Sequence, residues 1–99
     1  MAKYELSTYD GNDNVLKTYQ RNKCSVELFL KFQQYSQKVT EREVKNDVEF
    51  FKGLQELFLE MFPEMTEAEY KNKTDVAEII VLFHTIIAKA THMTDEKNG

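Results

Sequence analysis

Cysteine, proline and glycine are scarce in this chain: one, one and three in 99 residues. A lone Cys24 cannot close an internal disulfide, which suits a reducing cytoplasm. Gly11, Gly53 and Gly99 are too scattered to build a phosphate-cradling loop. No charged-then-apolar leader opens the chain, and its longest uninterrupted apolar run, Ile79 to Phe83, is far short of a membrane span. A basic stripe is missing as well. The net charge is −4, and the most basic stretch holds Lys17, Arg21 and Lys23, which is ordinary surface rather than a phosphate-neutralising face. The expectation is a cytosolic protein that binds neither nucleic acid nor membrane.

Catalytic patterns are equally thin. His84 and His92 lie eight apart with no Cys or carboxylate set at metal spacing, whereas zinc wants three or four converging ligands. Cys24 sits near a predicted helix start, which can lower a thiol pKa, but no histidine is near in sequence to activate it. Glu49, Glu56, Glu60, Glu64, Glu67 and Glu69 recur at helical steps and read as the wet side of helices, with Glu49 near Lys45 or Lys52 as an ordinary pair. No enzyme activity, cofactor or metal is expected.

What the chain has is apolar bulk: 41% hydrophobic residues, with seven Phe and five Tyr. That is enough for a core and argues against disorder. One small globular domain over residues 1–93 is expected, with 94–99 as a polar flexible tail. A chain this short buries a modest share of its surface, so association with a second copy is a natural gain.

The pattern predicts an α+β, mainly α fold: an N-terminal β-hairpin, three main helices and one short helix. Tyr4, Leu6 and Thr8 alternate with Glu5 and Ser7, the turn formers of 10–14 follow, and Val15 to Tyr19 resumes a β-favouring run. Such a hairpin needs helices or another chain to pack on. Asn22 or Ser25 can cap the next helix, whose face is read as Val26, Phe29, Leu30 and Gln33, widened by Phe32, Tyr35 and Val39. A long helix is expected from about Arg42 to Phe62, where Pro63 stops it. Gly53 within it suggests the close approach of another backbone. Thr66 to Glu69 forms a capping box for a short helix ending around Lys71 to Lys73. Thr74 is expected to cap the last helix, with Val76, Ile79, Ile80, Phe83, Ile86, Ile87 and Ala90 on one face, Val81 and Leu82 beside it, and polar sequence from Thr91.

The stripe on the long helix is too wide for one partner helix. Phe50, Phe51, Phe58 and Phe62, with Met61 and Met65, are core residues first. The surplus predicts partner contact at Phe50, Phe58, Met61, Phe62 and Met65, with Val81 as an off-face position on the last helix.

The segment Asp47 to Tyr70, with aromatic-rich LQELFLEMF followed by Pro63-Glu64-Met65-Thr66-Glu67-Ala68-Glu69-Tyr70, resembles the small tail assembly chaperones of long-tailed bacteriophages infecting Gram-positive bacteria. Their members have a helix ending in a Phe-containing turn, then a Thr-initiated acidic helix, and the hairpin extends the likeness over most of the chain. Met65, where an aromatic is common, and the lack of a Gly soon after Tyr70 depart from the pattern. The resemblance implies a non-enzymatic chaperone of the infected host's cytoplasm, absent from the virion. It would coat the tape measure protein and, through a longer frameshifted form, recruit tail tube protein. Glu96-Lys97-Asn98 can be encoded by GAA AAA AAC, which contains a slippery heptamer. A small phage-encoded regulator or inhibitor acting by protein binding is the alternative. A DNA-binding regulator is disfavoured because the segment Asp75 to Thr91 carries Lys89 alone against Asp75 and Glu78.

Overall fold

The computed structural model describes residues 3–98, with side-chain surroundings given for 3–88. It contains an antiparallel hairpin, β1 (Tyr4–Tyr9) and β2 (Val15–Arg21), then α1 (Val26–Thr40), α2 (Asp47–Met61), α3 (Glu67–Lys73) and α4 (Val76–Asn98). This is the α+β, mainly α class expected. Among the described residues no helix is long and apolar enough to cross a membrane.

The hairpin forms because its turn is wired locally. The Asp10 carboxylate accepts the backbone amides of Asn12 at 2.8 Å and Asn14 at 3.0 Å, which holds its carboxyl below the usual range. Asp13 takes the left-handed conformation there, φ 66°, which short polar side chains tolerate. Leu6 pairs with Tyr19 and Thr8 with Lys17, then the register slips so that Tyr9 faces Val15 and Leu16 is the extra residue of a bulge. The period-two pattern holds: Tyr4, Leu6 and Thr8 are buried while Glu5 is exposed.

α1 packs on α2 and α4, while β1 packs on α4 and α3. Ser25 caps α1, its hydroxyl accepting from the amide of Leu28 at 3.1 Å. The buried face is centred on the row expected only to widen it, with Phe29 and Tyr35 half-buried against the core. Leu28 and Phe32 go inward, whereas Val26 and Leu30 stand exposed. Leu28, Phe32, Tyr35 and Val39 form an i, i+4, i+7, i+11 row that holds the larger rings, and the side with more volume to bury faces α2 and α4.

α2 starts five residues later than expected. α1 ends in a Schellman motif in which Arg42 holds the left-handed position, φ 62°, with Glu43 N–H on the Lys38 carbonyl and Arg42 N–H on that of Val39. Helix cannot run through such a residue. Asn46 then caps α2 by accepting the Glu49 amide at 2.9 Å, while the Glu49 carboxylate accepts the Lys45 amide rather than pairing with a lysine ammonium. Gly53 does admit a close neighbour, but it is the Tyr35 ring of α1 and not a backbone.

The capping box of α3 is complete: Thr66 Oγ1 accepts the Glu69 amide at 3.1 Å and Glu69 accepts the Thr66 amide at 2.9 Å. Thr74 serves α3 instead of α4, donating its hydroxyl to the Tyr70 carbonyl at 2.6 Å. Asp75 caps α4, accepting the Glu78 amide at 3.2 Å, because the cap to third-residue spacing fits 75 to 78. On α4 Ile79, Phe83 and Ile86 are buried as expected, Leu82 joins them, and Val76 is exposed. The last helix continues to Asn98 instead of stopping near Ala90, as no Gly or Pro interrupts 91–98. The side chains of Lys89, Ala90 and His92 lie outside the described residues.

The hairpin is tied to the helices through glutamates. Tyr19 donates to both oxygens of Glu69, at 2.9 and 2.8 Å, so the α3 capping box also anchors β2. Arg21 pairs with Glu64, and Tyr9 donates to Glu78. Burial, then the Glu69 hydrogen bond, push the Tyr19 phenol up to about 12 from its ordinary 10.0. The fold therefore favours the neutral phenol. Its contribution is intact below pH 10 and is lost as pH rises from there through about 12. Urea midpoints taken from pH 9 to 12 should fall for the native chain and fall less steeply for Tyr19→Phe. Equal slopes would remove Tyr19 from the effect.

Candidate functional site

Among the described residues no group of three or more His, Cys, Asp or Glu is placed to hold a metal ion. His84 is exposed on α4 beside Phe83, and Cys24 is half-buried against the core.

Four of the six residues expected to contact partners are core. Phe58, Met61, Phe62 and Met65 are buried, in keeping with their first reading as core, so in this structure they present no surface to a partner. The surplus stripe of α2 is satisfied within the chain, because more than one element covers it. Phe32 of α1 lies 5.3 Å from Phe58 between ring centroids, and Tyr19 of the hairpin lies 6.4 Å from Phe62. Phe50 is half-buried in an aromatic cluster, 6.1 Å from Tyr35 and 5.8 Å from Phe83. Val81 is 63% exposed. It borders a shallow concavity of about 300 Å³ between α4 and β1, shared with Lys3, Glu5 and Leu82.

The more apolar concavity lies elsewhere, between α2, the end of α3 and the start of α4. It holds about 370 Å³. Phe51, Tyr70 and Ile79 line it, and Val48 and Val76 border it with 69% and 58% of their surface in water. The Tyr70 hydroxyl donates to the Phe51 carbonyl at 2.9 Å, and burial holds its phenol well above the ordinary value. The polar end of that ring is thus satisfied, leaving the groove an apolar lining. Charges sit at the edge: Asp47, Lys52 and Lys71, the last paired with Glu67 at 2.7 Å.

Sequence periodicity does not reveal this groove, because Val48 and Val76 simply continue the apolar spacing of their helices. The available signal was position. Each lies in the first turn of its helix, where a helix end outruns the elements that cover its middle.

Comparison with known protein families, with curated proteins and with solved structures yields no match to this chain.

Proposed function

We propose that the chain is a non-enzymatic assembly chaperone of a bacteriophage tail, which binds the tape measure protein in the infected host's cytoplasm and is absent from the virion. A longer form produced by frameshifting recruits tail tube protein. The observation that supports this reading best is the apolar groove bordered by Val48 and Val76. Exposed apolar surface on a small acidic chain suits many weak contacts along a long helical client, where effective concentration supplies avidity. The likeness of Asp47 to Tyr70 to the tail chaperones supplies the client.

Co-expression with the tape measure protein encoded nearby is the direct test. The native chain should keep it soluble. Val48→Asp with Val76→Asp, both on exposed positions that leave the core intact, should reduce the recovered complex by about tenfold or more, as for loss of a buried apolar anchor. A tape measure protein equally insoluble with and without the native chain rules the reading out. Undiminished complex with the double variant moves the client site away from the groove. Reading the codons of Glu96-Lys97-Asn98 tests the frameshifted form.

A further inference from the structure

We infer that the outer edge of β1 is a pairing edge whose occupant is β1 of a second copy, giving an antiparallel dimer with one four-stranded sheet. Outside the ladder with β2, no backbone hydrogen bond among the described residues involves residues 5–9. Alternate peptide groups of an antiparallel strand point away from its neighbour. This side of β1 therefore presents donors and acceptors with no strand to take them.

The two edges of the hairpin are not equivalent. Proteins blunt an exposed edge with bulges, proline or charged side chains, lysine above all. β2 has such devices in the Leu16 bulge, Lys17 and Arg21. β1 has no proline and a single charge, Glu5, and the extra residue of the bulge lies on the other strand. Helix cover beside β1 is incomplete, because the concavity between α4 and β1 opens to water and Val81 borders it with 63% of its surface exposed. Lys3 and Glu5 line the same concavity with opposite charges.

A second copy meets these features together. Antiparallel pairing across a twofold axis is self-complementary. It satisfies both β1 edges, carries Lys3 of each copy towards Glu5 of the other, and brings each Val81 to the seam. A two-stranded sheet is marginal in water, whereas more strands with a buried face are not. The blunted β2 edges end up outermost, so the assembly stops at two. The seam is separate from the groove bordered by Val48 and Val76, so dimerisation and client binding stand or fall apart.

Sedimentation of the full chain from about 1 µM to about 1 mM tests it, with amide hydrogen exchange read at both ends of the range. A monomer–dimer equilibrium with no larger species is expected. When about 90% of the chain is dimer, outward-facing amides of β1 should exchange about tenfold more slowly, since exchange then passes through the remaining monomer. Those of β2 should keep their rates. Val81→Glu, at an exposed position, should weaken dimerisation at least about tenfold with an unchanged circular dichroism spectrum. Val15→Glu, at a similarly exposed position on the bulged edge, should leave dimerisation as in the native chain. A chain monomeric throughout, assemblies that grow past two, or a dimer that leaves β1 exchange unaltered overturns the inference. Native affinity in Val81→Glu does so too. Slowing of β1 amides only in the presence of the tape measure protein gives the edge to the client and equally overturns it.

Discussion

Phe58→Ala is expected to lower unfolding stability by about 3–5 kcal/mol, the range for truncating a fully buried Phe. The ring has no exposed surface and sits 5.3 Å from Phe32, which itself meets Phe83 at 6.3 Å. Its loss opens a cavity where α1, α2 and α4 converge, and neighbouring rings too rigid to collapse fill it poorly. Domains of this size are stable by about 5–15 kcal/mol, so a sizeable unfolded fraction at 37 °C is within reach. Urea denaturation followed by circular dichroism reads the change. A loss under about 1 kcal/mol would mean that α2 does not bury this face. The same variant separates two accounts of partner binding. If Phe58 acts as core, complex formation should fall in step with the folded fraction, whereas the Val48 and Val76 substitutions should reduce complex with folding intact.

The boundary between legible and hidden features follows physical range. The hairpin could be read because alternation at Tyr4, Leu6 and Thr8 and the Asp10 turn are local, and the Thr66–Glu69 box because capping is decided within four residues. Helix starts were harder. Arg42 in a left-handed conformation lacks the signature a glycine provides, so periodicity alone carries α2 back through it. Which stripe of α1 turned inward depended on where α2 and α4 arrive, and the sequence of α1 carries apolar residues on both sides. The groove is a tertiary feature in the full sense. Val48 and Val76 are 28 positions apart and become neighbours of one concavity through the α2–α3 turn. Periodicity could mark them as apolar but could not show that their helices start beyond the cover of the core.

Gly53→Ala should reverse sign with its background. In an ordinary helix interior alanine is favoured over glycine by about 1 kcal/mol. Here a Cβ at 53 would lie 2.3–2.5 Å from Oη, Cε1 and Cζ of Tyr35, far inside contact distance. Tyr35 is not free to step aside, since its hydroxyl donates to the Phe50 carbonyl at 2.7 Å and to that of Glu49 at 3.2 Å, and its ring packs on Phe50 and Phe83. Overpacking of this sort costs about 1–3 kcal/mol. In the native background Gly53→Ala should therefore destabilise by up to about 2 kcal/mol once the helix gain is set against it. In Tyr35→Ala, where the ring is gone, the same change should stabilise by up to about 1 kcal/mol. Tyr35→Phe supplies the control, because its Cε1 and Cζ still meet the added methyl and the penalty should persist without the hydroxyl. A urea double-mutant cycle measures all three. Stabilisation by Gly53→Ala in the native chain would place Tyr35 elsewhere, and with it the α1–α2 contact that sets the half-buried position of Phe50.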